Sequence, residues 1–156
     1  SGITETQFGP DLSMKRCDFV LMLYRAAGSP SVSEGAGFAD VPDSAYYASA
    51  VAWAYANGIT EGKGEGLFAP QDTLTRQEGF TFLYRALKTL GVSYTDADAS
   101  LLSRFPDAAS VASWAQTPTA TLISLGIVDG SDSGLAPAGS LTRAQMAKML
   151  QMAREM

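Results

Sequence analysis

Apolar residues recur at helical spacing in several stretches of the chain. The clearest stripe follows Thr75 and consists of Phe80, Leu83, Tyr84 and Leu87. These residues share one side of a helix, because positions three and four apart are neighbours on its surface. The apolar stretch over residues 45–57 predicts a second helix, and Gly58 directly after it is a typical stop signal. The pattern therefore predicts pairs of helices joined by loops.

The start of the helix at Thr75 combines a favourable cap with an unfavourable cation. Thr75 and Glu78 have the spacing of a capping box, in which each side chain accepts a hydrogen bond from a free backbone N–H group. Arg76 then falls in the first turn, where the helix dipole disfavours a cation by about 0.3–1 kcal/mol. Arg143 in "LTRAQMA" and Arg16 in "MKRCDF" repeat this placement. Capping alone does not explain the three arginines.

Three segments of the chain align in register as an internal repeat. The segment "FGPDLSMKRCDFVLMLYRAAG" matches "FAPQDTLTRQEGFTFLYRALK" at an offset of 60, and "LAPAGSLTRAQMAKMLQMA" follows at a further offset of 67. Upstream, the offset of 67 pairs Phe38 with Phe105, Asp40 with Asp107 and Tyr47 with Trp114. We divide the chain accordingly into copy one (residues 1–28), copy two (38–91) and copy three (105–156). Copy one holds only the closing half of the pattern.

The shared plan of the copies predicts an all-α fold. Phe-x-Asp begins a full copy, an opening helix and a Gly-rich loop follow, and a closing helix begins at the Thr-Arg pair. We expect about five main helices, with the three closing helices around a common centre, because their apolar stripes otherwise have no partner. Thr117 and Pro118 have the residue types of a helix start, which predicts a broken opening helix in copy three. A short helix is expected over residues 97–104.

Composition and charge exclude several classes of function. The chain has 156 residues, a formal net charge of −5, no histidine and the single cysteine Cys17. Without a basic run, neither nucleic acid nor an anionic membrane surface is an expected partner. Without histidine or paired cysteines, Cys/His zinc sites and Ser-His-Asp triads are excluded. No stretch is long and apolar enough for membrane insertion, and no cofactor is expected.

Two further features bear on metals and on cellular location. The segments "TDADAS" (95–100) and "DGSDSG" (129–134) are rich in aspartate, but both lack the glycine and terminal glutamate of an EF-hand. No metal site is therefore expected. No signal peptide is seen at the start, which predicts either a cytoplasmic protein or a piece of a larger processed one.

The ordered set of motifs resembles the S-layer homology family. Copy two contains "FADV" (38–41), "NGITEG" (57–62), "FAP" (68–70) and "LTRQE" (74–78), and copy three contains "FPDA" (105–108), "LGIVDG" (125–130) and "LTRAQ" (141–145). The resemblance implies a pseudo-threefold helical domain of tandem repeats, here with a truncated first repeat. It also implies a non-catalytic module of a secreted bacterial protein. Such modules bind secondary cell-wall polysaccharide, often pyruvylated, at the cell surface.

Nine residues are candidate polysaccharide contacts: Arg16, Arg76, Arg143, Thr75, Glu78, Tyr47, Trp114, Gly58 and Gly62. The resemblance implicates the arginines most directly, and a guanidinium beside helix N–H groups suits a carboxylate. Each type also has a structural interpretation. The arginines can pair with an acid of a neighbouring copy, the Thr and Glu can be helix caps, the aromatics can be core, and the glycines can be loop punctuation.

Departures from the family pattern single out copy two as the best candidate site. Copy one has Lys15 in place of the motif Thr and Asp18 in place of the Glu, and copy three has Gln145 in place of the Glu. We therefore expect Arg76 to lie partly exposed in a groove. Its walls should be the 58–66 loop and an aromatic side chain of a neighbouring copy.

Copy one lacks the opening helix that should cover its closing helix. The apolar face of "FVLMLY" (19–24) should still be buried, at about 1.5–3 kcal/mol for each large side chain. We therefore expect another segment or a second molecule to cover it. Self-association of a structural interaction module, with arginines in inter-repeat salt bridges, is an alternative function. A glycosidase using Glu61 or Glu78 is a third alternative, although no acid pair is set apart in the sequence.

Overall fold

Five α-helices provide most of the regular structure in residues 13–32, 35–128 and 134–156, the part of the chain that the computed structural model describes. They are α1 (Arg16–Ala26), α2 (Ala48–Ala56), α3 (Arg76–Ala86), α4 (Ser113–Ser124) and α5 (Arg143–Arg154). Two 3-10 helices, Ala99–Arg104 and Ala108–Ser110, lie between α3 and α4. The all-α fold, the five main helices and the short helix in the second linker are confirmed.

The helix boundaries follow the local signals in the sequence. Thr75 and Glu78 form a complete capping box at the start of α3, and Thr142 and Gln145 form another at the start of α5. α2 ends before Gly58, whose φ of 71° lies in the left-handed region that favours glycine. The cap interpretation of Thr75 and Glu78 is therefore confirmed, and the equivalent residues of copy three form the same cap.

A closed ring of backbone hydrogen bonds joins the segments that precede the three closing helices. The N–H of Met14 donates to the carbonyl of Leu141 at 2.9 Å, that of Leu74 to Met14 at 2.8 Å, and that of Leu141 to Leu74 at 3.3 Å. The three residues are equivalent positions of the three copies, and all are buried. The ring marks a pseudo-threefold axis, which confirms the predicted common centre.

Each opening helix covers the closing helix of the preceding copy. α2 packs against α1 and α4 packs against α3, and the rings of Tyr24 and Trp53 lie 5.7 Å apart between α1 and α2. Phe19 and Leu23 of α1 are fully buried within the chain. The expectation that another segment covers copy one is confirmed, because α2 does so. The burial of Phe19 and Leu23 requires no second molecule.

Pro118 does not interrupt the opening helix of copy three. α4 runs from Ser113 to Ser124 with Pro118 inside it, so the predicted break is wrong. A proline in a helix removes one N–H donor, at a cost of about 3 kcal/mol. Pro118 is itself buried, as are Ala115 and Leu122 on the same helix. Helical stability in proteins comes largely from packing of this kind, and the contact with α3 keeps α4 continuous.

The aspartate of each Phe-x-Asp motif fixes the loop that leads to the closing helix. The carboxylate of Asp40 accepts hydrogen bonds from the N–H groups of Phe68 at 2.9 Å and Ala69 at 2.8 Å. In copy three, Asp107 accepts from the two equivalent N–H groups at 2.9 and 2.8 Å. These contacts hold the Phe-Ala-Pro and Leu-Ala-Pro segments where the preceding copy can contact them.

Candidate ligand-binding groove

A groove of about 200 Å³ opens where parts of all three copies meet. α1 contributes one residue, the 60–63 loop and α3 contribute four each, and α4 contributes one. The lining residues are Arg16, Thr60, Glu61, Gly62, Lys63, Glu78, Thr81, Phe82, Arg85 and Trp114. The groove is therefore assembled by the packing of the copies rather than by any one of them.

Arg16 lies at the floor of the groove. Its Nε–H donates to the backbone carbonyl of Phe68 at 2.9 Å. The guanidinium carbon lies 4.8 Å from the ring centre of Phe68 and 5.1 Å from that of Phe82. Only 3% of Arg16 is exposed. Burial lowers the pKa of Arg16, and the carboxylate of Glu78 partly offsets this effect.

The structure explains why an arginine is tolerated at the start of α1. The first-turn N–H groups of Arg16 and Cys17 donate to the backbone carbonyls of Asp72 and Pro70 in copy two, at 2.9 and 3.0 Å. The helix N-terminus is thus already neutralised by carbonyl dipoles of the next copy. The arginine side chain then extends along the same loop as far as Phe68.

Arg76 makes the same set of contacts one copy further along. Its Nε–H donates to the carbonyl of Leu135 at 2.8 Å, and its own N–H and that of Gln77 donate to Gly139 at 2.7 Å and Pro137 at 3.0 Å. Both arginines therefore join a closing helix to the loop of the following copy. Both Nε–H bonds are made to carbonyls. The alternative that an arginine pairs with an acid of a neighbouring copy is met by Arg16, whose Nη1 lies 3.5 Å from Oε2 of Glu78.

Arg143 is the third arginine of the set. By the repeat, its partner loop corresponds to residues 8–12, which lie outside the described residues. The side chain of Arg143 reaches copy one, where Nη1 lies 3.7 Å from the sulfur of Met22. Met22 occupies the position that Phe82 occupies in copy two, so the direction of Arg143 is the same as that of Arg16.

Glu78 links the helix cap to the charges of the groove. Its Oε1 accepts from the N–H of Thr75 at 2.9 Å, and its Oε2 lies 3.5 Å from both Arg16 Nη1 and Lys63 Nζ. Burial opposes ionisation of Glu78, but the N–H of Thr75, Lys63 and Arg16 outweigh it and lower the pKa of the carboxyl group. Glu78 is therefore a carboxylate at neutral pH.

The groove is locally positive in an acidic chain. Its lining contains three cations, Arg16, Lys63 and Arg85, and two carboxylates, Glu61 and Glu78, which leaves a net charge of +1 where the whole chain carries −5. Lys63 has a side chain that is 44% exposed. An anionic group approaching the groove therefore meets a mobile cation at its edge and a fixed one at its floor.

The structure brings four of the nine candidate residues into this groove: Arg16, Glu78, Gly62 and Trp114. It places five elsewhere: Arg76, Arg143, Thr75, Tyr47 and Gly58. The expectation that Arg76 lies in the groove of the 58–66 loop is wrong. Each closing helix begins against the loop of the following copy, so the arginine facing that loop is Arg16.

The exposed aromatic just before α2 lies one residue away from the position that the sequence alignment indicates. Tyr47 is only 6% exposed and belongs to the core, whereas Tyr46 is 65% exposed. The hydroxyl of Tyr46 donates to Asp18 at 2.7 Å, and Asp18 is the copy-one equivalent of Glu78. Tyr46 is thus the counterpart of Trp114, which is 50% exposed beside Glu78. Tyr46 and Tyr47 lie in the turn before α2, and two adjacent tyrosines in the sequence do not reveal which one faces outward.

The two candidate glycines have conformational and packing roles. Gly58 ends α2 in the left-handed region, as described above. Gly62 has a φ of 86°, and an added Cβ would lie 2.5 Å from a ring carbon of Phe38 and 2.6 Å from the carbonyl of Leu67. Gly62 therefore lets the loop pass close to Phe38 at the edge of the groove.

Sequence reasoning missed Lys63 and Arg85 as groove residues. Lys63 is the one cation of the Gly-rich loop in copy two. This isolated charge was the feature of the sequence that could have indicated a groove residue. Arg85 lies in the last turn of α3, where the helix dipole favours a cation, so its position gives no sign of a ligand role. Its Nη1 donates to the carbonyl of Ile59 at 3.3 Å, which fixes it at the groove wall.

Within the described ranges, no cluster of three or more Asp, Glu, Cys or His side chains is arranged to hold a metal ion. A search of the same residues finds no helix with the length and apolar character needed to cross a membrane.

Comparison with known proteins gives one family and several relatives. The sequence model described as "S-layer homology domain" matches residues 37–78 and 104–147. The chain is 33% identical over 150 residues to "Exoglucanase XynX" of Acetivibrio thermocellus, covering 96% of this chain and 14% of that protein. It is 34% identical over 114 residues to "Surface-layer 125 kDa protein" of Lysinibacillus sphaericus, covering 70% and 9%.

A third relative is "Cellulosome-anchoring protein" of Acetivibrio thermocellus, 26% identical over 153 residues, with 95% of this chain and 33% of that protein covered. The chain thus spans a third or less of the length of these three relatives. The similarity concerns a module that occurs in larger proteins with different names.

Proposed function

Since the chain belongs to the S-layer homology domain family, we propose that it is a non-catalytic module that attaches a larger secreted protein to the bacterial cell wall. Relatives named as a surface-layer protein and as a cellulosome-anchoring protein support a role at the cell surface. The exoglucanase relative supports a separable module, because the chain covers 14% of it. The ligand in this proposal is secondary cell-wall polysaccharide.

One observation carries the ligand proposal: the groove places exposed Trp114 beside a locally positive surface. A tryptophan ring offers an apolar face to a sugar. Arg16 and Lys63 offer N–H donors to a carboxylate, and charge-assisted bonds of this kind are about twice as strong as neutral ones. A sugar that carries a ketal-linked pyruvate has both an apolar face and a carboxylate. Pyruvylated wall polysaccharide is therefore the ligand that suits the groove best.

The size of the groove favours a unit of a polymer over a free small molecule. Pockets that enclose small ligands usually have volumes of about 300–1,000 Å³. At about 200 Å³, this groove accommodates one sugar unit while the rest of the chain stays in solvent. Binding at a single groove is then expected to be weak for a monosaccharide and stronger for polymer.

Binding to purified cell-wall polysaccharide, before and after acid removal of its ketal pyruvate, tests this proposal. Trp114→Ala should lower the affinity about tenfold or more, because truncation of a central aromatic contact commonly has that effect. Lys63→Gln should lower it as well, and more so at low salt. Both side chains are largely exposed, so the melting temperature should stay close to that of the wild type.

Two matched variants control this experiment. Tyr55→Ala removes a similarly exposed aromatic, 49% exposed, that packs on Phe38 and does not line the groove. Lys148→Gln removes an exposed lysine of α5. Both should leave binding unchanged. Absence of wild-type binding to the polymer, or equal losses in the control and groove variants, would refute the proposal.

A structural interaction module is the second candidate. The contacts of Arg16 with Phe68 and of Arg76 with Leu135 favour it, because they explain both arginines without a ligand. This candidate predicts self-association in analytical ultracentrifugation that does not depend on polysaccharide. A monomer that binds polymer through Trp114 would exclude it.

A further inference from the structure

The carboxylate of Glu78 occupies a fixed position between two cations of the groove. Oε1 is held by the N–H of Thr75 at 2.9 Å and lies 3.1 Å from its hydroxyl, so the helix cap determines where the carboxylate points. Oε2 consequently faces Arg16 Nη1 and Lys63 Nζ at 3.5 Å each. One oxygen of Glu78 thus contacts both of the cations that are proposed to bind an anionic group of the ligand.

The two cations differ in their freedom to leave Glu78. Arg16 is held by the carbonyl of Phe68 and lies between two aromatic rings. Lys63 lies on the loop with its side chain 44% exposed and 3.5 Å from Glu78, and an ion pair with a solvent-exposed lysine is weak. An incoming anion can therefore draw Lys63 away, while Glu78 and Arg16 stay in place.

We propose that Glu78 determines the charge of the ligand group that the groove accepts, by neutralising one of its three cations. This inference rests on the proposed function and specifies its ligand class. With Glu78 ionised, the lining carries a net +1 and matches a monoanion such as a sugar-linked carboxylate. Without that charge the lining carries +2, and a dianion such as a phosphate monoester is accommodated equally well. Glu78 is in this sense a specificity-determining residue.

The chain itself supplies the variant that separates charge from capping. At the start of α5, Gln145 forms the same capping box as Glu78, with its Oε1 accepting from the N–H of Thr142 at 3.0 Å. Glu78→Gln should therefore retain the cap and the fold while it removes the negative charge. Glu65→Gln is the matched control, because Glu65 is an exposed glutamate of the loop that carries Lys63 but does not line the groove.

The test measures affinities of two probes by titration calorimetry. One probe is a methyl hexopyranoside with a ketal-linked pyruvate, and the other is the same sugar with a phosphate monoester, which carries a charge of about −1.5 to −2 near pH 7. The wild type should prefer the pyruvate probe. Glu78→Gln should raise the affinity for the phosphate probe about tenfold and that for the pyruvate probe less, because the removed charge repels a dianion more strongly.

Outcomes for this inference and for the proposed function are distinguishable. The control variant Glu65→Gln should change the ratio of the two affinities by no more than about twofold. An unchanged ratio in Glu78→Gln, equal shifts in both variants, or a wild type that binds neither probe would overturn the role of Glu78. Binding of the wild type to wall polysaccharide, lost in Trp114→Ala, would support the proposed function in each of these cases.

Discussion

The Nε–H group of Arg16 donates a hydrogen bond to the backbone carbonyl of Phe68 at 2.9 Å, across the boundary between copies one and two. Arg76 repeats the bond with Leu135 across the next boundary. A cation at a helix N-terminus is unfavourable in isolation. Here the adjoining copy supplies carbonyl oxygens both to the helix N–H groups and to the arginine. The arginine is thus part of the joint between copies.

Arg76→Ala should lower the free energy of unfolding by about 1–3 kcal/mol, because the carbonyl of Leu135 loses a charged donor. Urea denaturation gives this value. Arg76→Lys should lose less stability than Arg76→Ala, since an ammonium group can still donate a hydrogen bond to this carbonyl. Arg25→Ala, an exposed arginine late in α1, should change stability by less than about 0.5 kcal/mol. Unchanged stability with lost polymer binding in Arg76→Ala would instead assign a ligand role to this residue.

Gly79→Ala should destabilise the protein although alanine is the better helix former. In a helix the exchange is worth about 1 kcal/mol in favour of alanine. An added Cβ would, however, lie 2.6 Å from a methyl carbon of Leu141 and 3.2 Å from a ring carbon of Phe19. Overpacking of this kind costs about 1–3 kcal/mol. A higher melting temperature of Gly79→Ala would contradict the close packing of the three copies at this point.

Ala69→Gly should stabilise the protein by about 0.5–1 kcal/mol. Ala69 has a φ of 61°, in a region where a side chain is strained and glycine is not. The equivalent Ala136 has a φ of 48°, and Ala136→Gly should act in the same direction. Ala147→Gly, at an exposed site within α5, is the control and should cost about 1 kcal/mol. A melting temperature of Ala69→Gly below that of the wild type would contradict backbone strain at Ala69.

The stability of the protein should fall on acidification. Glu78 has a folded-state pKa below its ordinary value of 4.5, and hydrogen bonds from the loop lower the pKa of Asp107 below 3.8. A depressed carboxyl pKa stabilises the fold above the ordinary pKa, and this stability is lost as the pH falls through the folded-state value. Urea denaturation at a series of pH values below 4.5 should show the loss. Glu78→Gln should make the decline of stability with falling pH shallower. An identical decline in this variant and the wild type would contradict a contribution of Glu78 to the pH dependence.

Much of the fold was predictable because its determinants are local. The capping boxes at Thr75 and Thr142 defined two helix starts, Gly58 defined a helix end, and the repeat offsets identified equivalent positions. The prediction for Pro118 was wrong because it rested on local sequence only. Its local preference for a helix start was outweighed by burial of α4 against α3, which no sequence window contains.

The sequence alone determined which residues are equivalent in the three copies, that helices pair, and that the arginines need an explanation beyond capping. The packing of the copies, in contrast, determines that the groove of the copy-two loop contains Arg16 rather than Arg76, and that Tyr46 faces solvent while Tyr47 is buried. The physical reason is the same in both cases. Local sequence sets the direction of a helix and the positions of its side chains, whereas the neighbour of each side chain depends on how the copies pack around the pseudo-threefold axis.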